Sequence, residues 1–251
     1  MSLVGEFGLG DRELVAFTGA GGKTTLLLAL GKELTTLGKR TVLGTTTRMG
    51  TDQIPSWADV GSLGRLGPAT TFVVESTDGP KVIGSKPEVF DEIFESTGYV
   101  LVEADGARRR HIKAPAPHEP VIPLRTTTVV VVAGLGALGH PISEVAHRPD
   151  RVAEVVGLEP SDIVTPEAMA TLITSVDGGL ARVPGASRVV VALTGEPDGP
   201  HRSEQLASEI LTLSRIERVV VFPFGGDCSS FGRAQQASSK EGASSFEEVW
   251  K

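Results

Sequence analysis

The residues best suited to chemistry are Gly19, Ala20, Gly21, Gly22, Lys23, Thr24 and Thr25, read in a row. Glycines at 19, 21 and 22 can take positive φ and carry no Cβ, so backbone N–H groups can close around a phosphate. A helix beginning near Lys23 would aim its positive end at the same anion. The Lys23 ammonium can reach the outer phosphates of a nucleotide, and the Thr24 hydroxyl can ligate Mg²⁺. These seven residues are the expected phosphate-binding set. The longer pattern G-x-x-x-x-G-K-S/T would need glycine at position 17, where Phe17 stands, so the loop is a shorter variant.

Two carboxylates come next. Glu103 and Asp105 follow the apolar run Tyr99 to Val102, and residues two apart on a strand share a face. In open α/β sheets ligands bind at the carboxyl ends of strands, so a carboxylate here can hold Mg²⁺ or orient an attacking water. Both are candidate catalytic residues, and Asp105, or else Glu103, would join Thr24 on the metal. Arg108, Arg109, Arg110, His111 and Lys113 form a basic cluster that could clamp a nucleotide phosphate or another anionic substrate, or could be a solvated loop. Pro115, Pro117, Pro120 and Pro123 stiffen the stretch behind it. They would hold Lys113 in place and set His118 and Glu119 on a rigid loop, where a His-Glu pair could do general acid/base work or could be a surface pair on a structural crossover loop. Lys113 and His118 are therefore also candidates. Thr45 to Thr47 with Arg48 could sense a γ-phosphate, although Thr126 to Thr128 make a similar run with no such setting. His147-Arg148 reads as a helix-start pairing. Cys228, the only cysteine, reads as a small residue, though a thiol near Gly225 and Gly226 could meet a soft ligand such as selenium or a metal.

The elements that position these groups can be read from periodicity. Leu14 to Phe17, Thr41 to Leu43, Tyr99 to Val102, Val129 to Val132, Val189 to Leu193 and Val219 to Phe222 are apolar runs typical of strands buried on both faces, the last of them ending the sheet. Leu26, Leu27, Leu30 and Leu34 recur at helical spacing, and Gly38 stops that helix. Residues 87–97 give a short helix, Pro149 opens another that ends at Gly157, and Thr165 caps one that starts at Pro166. Residues 49–69 read as loop with one turn of helix. Phe72 to Glu75 and Lys81 to Ile83, around Asp78-Gly79, read as a β-hairpin. The fold expected is α/β, P-loop NTPase-like, a mostly parallel sheet with helices on both faces and one hairpin insertion. Residues 1–224 make the nucleotide-binding domain, and 225–251 a Ser/Gly-rich tail with a short helix at Phe246 to Trp250.

Composition narrows the partners. The chain has 251 residues, a net charge of −7 and 40% hydrophobic residues, as a soluble globular protein has. An acidic balance argues against nucleic acid or an anionic membrane as partner. A single cysteine excludes a disulfide framework within the chain and fits a reducing cytoplasm. No signal peptide is expected, and the run Val129 to Leu138 is too short to span a bilayer. The Asn-Lys pair that reads guanine in G proteins is missing after Leu193, where Thr194-Gly195-Glu196-Pro197-Asp198 stands, so ATP is favoured over GTP.

Three segments together resemble one family. They are Thr18 to Thr25, Val102 to Ala107, and Lys113-Ala114-Pro115 with His118 to Pro123, and His147-Arg148-Pro149 fits as well. The chain resembles the selenium-dependent hydroxylase accessory proteins of the YqeC type, over residues 14–156. The resemblance implies a P-loop nucleotide-binding accessory protein in maturation of selenium-dependent molybdenum hydroxylases, with such a hydroxylase or its maturation factors as partner. The loop alone also resembles that of ATP-dependent amino-acid ligases of cell-wall synthesis. The expectation is Mg-dependent binding and hydrolysis of ATP, or of GTP. A ligase or kinase acting on a small acid, and a nucleotide-gated delivery protein with no catalysis, remain alternatives.

Overall fold

The computed structural model describes residues 2–195, 200–213, 216–222 and 229–232. Among them a nine-stranded sheet runs in the spatial order Ser229–Gly232, Arg218–Phe222, Arg188–Thr194, Thr128–Gly134, Glu13–Gly19, Tyr99–Glu103, Thr41–Thr45, Thr70–Val73, Asp59–Gly61. Every neighbouring pair is parallel except the first, which is antiparallel. The inner strands are largely apolar and buried because helices cover both faces. Val15, Phe17, Val130 and Val132 pack with Leu26, Leu27, Leu30 and Leu34 of the Lys23–Thr36 helix. The alternate residues Ala16, Val129 and Val131 face the opposite way, towards Met169, Leu172, Leu206 and Ile210. Leu14, Val42 and Val100 pack on Phe90, Ile93 and Phe94 of the Pro87–Ser96 helix. Full burial of each such side chain stabilises by about 1.5–3 kcal/mol.

The helix-boundary residues act as their types dictate. Gly38 takes φ 71° after the first long helix. The Pro149–Val156 helix has proline in its first turn and Gly157 at φ 71° past its end. Thr165 accepts from Ala168 N–H at 3.2 Å to cap Pro166–Thr174.

Three expectations change. The hairpin's first arm is Ser76–Asp78, not Phe72 to Glu75. Phe72 and Val73 are fully buried in the main sheet, and apolar side chains of that size gain more there than on an exposed ribbon. The stretch 49–69 holds a sheet-edge strand at Asp59–Gly61 and joins the ribbon through Met49–Gly50. Val219 to Phe222 is not the last strand, since Ser229–Gly232 pairs against it. Cys228, the segment Glu196 to Asp198 and the helix expected at Phe246 to Trp250 lie outside the described residues.

The topology places the candidate groups together. Because the strands are parallel, their carboxyl ends fall on one edge. Gly19, Thr45, Glu103, Gly134 and Thr194 all end strands there.

Candidate functional site

The glycine loop lies against the end of the Thr128–Gly134 strand. Gly19, Gly21 and Gly22 have φ of 88°, 92° and 119°. A Cβ at Gly19 would sit 2.2 Å from Val132 O, and one at Gly21 2.5 Å from Gly134 N. Those two glycines are required by close backbone approach as well as by φ. At Gly22 the nearest atom is 3.7 Å away, so only the backbone angle demands glycine. The Gly19 N–H donates to Asp105 Oδ2 at 3.0 Å and the Ala20 N–H to Val132 O at 2.9 Å. Both are therefore already engaged. The helix begins at Lys23, and its first carbonyl bond runs from Leu26 N–H to Gly22 O. The N–H groups of Lys23, Thr24 and Thr25 thus have no acceptor within the helix. Thr194 Oγ1 donates to Gly21 O and ties the loop to the next strand over.

A row of ion pairs runs from this loop into the fold. Lys23 Nζ donates to Gly19 O at 2.7 Å and lies 3.1 Å from Asp105 Oδ1 and 3.7 Å from Glu103 Oε1. Burial would lower the Lys23 pKa, but Asp105 and then Glu103 outweigh it and hold the ammonium above its usual range. Thr24 Oγ1 donates to Glu103 Oε2 at 2.6 Å. Asp105 is 1% exposed, and its Oδ2 also meets Lys113 Nζ at 3.0 Å. Lys113 Nζ reaches Gly106 O at 2.8 Å and Glu119 Oε2 at 3.0 Å. An ammonium has three donors, so Lys113 is fully occupied. Glu119 completes the row with a two-pronged pair to Arg148, at 2.8 and 3.0 Å. Burial would raise the Glu119 carboxyl, but the Arg148 hydrogen bond and then Lys113 bring it down to about 2.

The row borders a cavity of about 850 Å³ at the strand-end edge. Seven lining side chains are cationic (Lys23, Arg48, Lys81, Arg108, Arg109, Arg110 and Arg148) and three are anionic (Asp52, Glu103 and Glu119). In a chain of net charge −7 this is a local inversion of sign. Arg110 is anchored by a hydrogen bond to Glu144 O. Arg108 and Arg109 have φ of 49° and 59°, the left-handed region, which costs a residue with a Cβ roughly 1–2 kcal/mol.

The matches to known proteins follow this geometry. A family model described as "YqeC protein" matches residues 15–150. A protein of Escherichia coli (strain K12), "Uncharacterized protein YqeC", is 33% identical over an alignment of 188 residues, with 70% of this chain and 73% of that protein covered. The chain belongs to the YqeC family. The family-model match takes in the glycine loop, both strand-end carboxylates, Lys113, Glu119 and Arg148, and stops before Thr194, the far wall of the loop.

The structure brings most of the sequence candidates together, but not His118. That side chain is 79% exposed and 4.0 Å from Glu119, outside the cavity lining. The expected acid/base pair is thus not assembled, because Glu119 turns inward to two cations while the imidazole stays in water. Lys113 is a buried strut between Asp105 and Glu119. Thr45 and Thr46 spend their hydroxyls on Glu103 O and Val121 O, which leaves Thr47 and Arg48 to line the cavity. Sequence reasoning missed the Glu119–Arg148 pair, which spans 29 residues, and the placing of His111 and His147 in the wall. Burial, then the charges of Arg148 and Lys113, hold the His147 imidazole below its usual range. Among the described residues no helix is long and apolar enough to cross a membrane.

Proposed function

We propose that this YqeC-family protein binds a nucleoside triphosphate with Mg²⁺ on a P-loop, ATP in preference to GTP, and hydrolyses it. The observation that carries the reading is the Thr24–Glu103 hydrogen bond at the start of a helix whose free N–H groups and lysine border the cavity. Gly21 to Thr25 supply N–H groups to the phosphates, and Lys23 exchanges Gly19 O and Asp105 for a phosphate oxygen. Hydroxyl and carboxylate oxygens suit Mg²⁺, which takes few protein ligands and completes its shell with water and phosphate oxygens. Thr24 and Glu103 would hold the ion. Asp105, which the sequence reading paired with Thr24, is taken up by Gly19 N–H and the two lysines. The ion, when bound, neutralises charge on the transferring phosphoryl group. Glu103 borders the same space and can orient a water for in-line attack.

A second reading, a nucleotide-gated delivery protein, is favoured by the row from Lys23 to Arg148. Withdrawing Lys23 from Asp105 would be felt at Arg148, which opens the Pro149–Val156 helix. The role in maturation of selenium-dependent molybdenum hydroxylases, with such an enzyme or its maturation factors as partner, rests on the sequence resemblance and is part of the proposal.

The test is calorimetric titration of Mg-ATP and steady-state phosphate release. Wild type should bind and turn over ATP. Lys23→Ala should lose binding by about 10²-fold or more while staying folded, the loss expected for one buried charge-assisted contact. Equal affinity in both proteins would reduce the glycine loop to a turn. Tight binding without turnover would select the gated reading.

A further inference from the structure

Arg108 and Arg109 fill the two central positions of a tight turn that suits neither of them. Arg110 N–H closes the turn on Ala107 O at 3.0 Å, and φ is positive at both central residues. That is the pattern of a type I′ turn, which Asn, Asp and Gly adopt most readily. Among the described residues no contact accounts for arginine here. Both side chains are exposed, and neither has a hydrogen-bond or ion-pair partner among the described residues. What the turn does achieve is placement. Successive side chains on an extended strand point to opposite sides, whereas here both line the cavity. Arg48 and Lys81 line it too, equally unpaired among the described residues. Lys23, Arg110 and Arg148 are held by protein partners, so four cations stand uncommitted in an acidic protein.

We propose that Arg108 and Arg109, with Arg48 and Lys81, form a second anion subsite that holds a phosphorylated small molecule beside the nucleotide. The nucleotide's own phosphates are served by the helix N-terminus and Lys23, which leaves these four groups for another anion. Planar guanidinium forks match phosphate oxygens two at a time. The cavity, about 850 Å³, lies high in the range of about 300–1,000 Å³ that small-molecule sites span, which leaves room for a second ligand. The position beside a nucleotide rests on the function proposed above, but the subsite itself does not need the loop.

The experiment uses inorganic pyrophosphate as probe, titrated into the full chain saturated with Mg²⁺ and a non-hydrolysable ATP analogue. The variant Arg108→Asn/Arg109→Gly restores residues that the turn favours. Wild type should take up pyrophosphate saturably, and the variant should bind it at least about tenfold more weakly. The variant should bind the nucleotide analogue within about twofold of wild type. It should also melt at a higher temperature, because its turn is relaxed. No uptake by the saturated wild type, equal uptake by both proteins, or loss of the analogue in place of pyrophosphate would each overturn the proposal. A variant no more stable than wild type would overturn the argument from strain. Should the nucleotide reading itself fail, pyrophosphate is titrated into Lys23→Ala with and without the arginine changes. Arginine-dependent binding there supports the subsite, and arginine-independent binding ends it.

Discussion

Glu103 and Asp105 are two positions apart and do different work. Glu103 takes the Thr24 hydroxyl and borders the cavity, whereas Asp105 is buried between Lys23 and Lys113. Glu103→Gln should therefore lower ATP turnover by about 10²-fold, the size of losing a preorganised electrostatic group, with little change in melting temperature. Asp105→Asn should act first on stability. It leaves two buried ammoniums with no carboxylate between them, and breaking such a pair costs about 3 kcal/mol or more. Thermal unfolding and phosphate release on both variants check this, and a fully stable Asp105→Asn would remove Asp105 from the structural role. The sequence showed both carboxylates at the strand end, because an apolar run leading into Glu and Asp is a local signal. It could not rank them, since the difference lies in which of them the loop residues Gly19, Lys23 and Thr24, about 80 positions away, and Lys113 engage. Lys113 was legible as a fixed residue for the same local reason, its prolines, but not as a strut. His118 stayed open between acid/base work and a surface position, because a His-Glu sequence does not say which member faces water.

At the scale of the element, the loop's glycines separate into two kinds. Gly19→Ala would drive a Cβ into Val132 O, so the strand end must move. Gly22→Ala meets only the backbone cost, roughly 1–2 kcal/mol. Urea unfolding should show Gly19→Ala losing clearly more stability than Gly22→Ala. Equal losses would mean the strand end yields to the added methyl. Glycine, lysine and threonine before a leucine-rich helix made this element the most legible part of the chain. Pro149, Gly157 and Thr165 marked boundaries just as plainly, since each acts through its own covalent geometry. Strands Asp59–Gly61 and Ser229–Gly232 escaped because edge strands of short polar sequence carry no burial pattern. The hairpin was displaced by a few residues because one apolar run, Phe72-Val73-Val74, was assigned to the ribbon when the sheet takes its first two members.

Across the whole molecule, the mostly parallel sheet and its two covered faces follow from the buried runs, and the strand order lay beyond them along with the two edge strands. Order is set by pairings of distant segments, such as Glu13–Gly19 with Thr128–Gly134. The cavity's inverted charge was half legible, in the run of three arginines, and otherwise depended on Arg48, Lys81 and Arg148 arriving from other elements. One consequence is a defined acid response. Glu119 has a folded pKa of about 2 against an ordinary 4.5. A depressed carboxyl contributes stability that is present above the ordinary value and lost as pH falls towards the folded one. Melting temperature should fall between pH 4.5 and about 2, and the fall should be shallower in Glu119→Gln. Parallel profiles for the two proteins would deny Glu119 its share.

The row that begins at Glu103 and Lys23 and ends at Arg148 holds three carboxylates and three cations. It is electroneutral as it stands, and electroneutrality limits what can be added. A bare polyphosphate that draws Lys23 away leaves Glu103 and Asp105 under-compensated and facing the incoming charge. The same anion accompanied by a divalent cation restores the balance at Glu103 as it enters. Affinity, and not rate alone, should then depend on Mg²⁺. ATP titrated in the presence of a chelator should bind at least about tenfold more weakly than Mg-ATP. Equal affinities would mean that Lys23 keeps its carboxylates when the anion is bound.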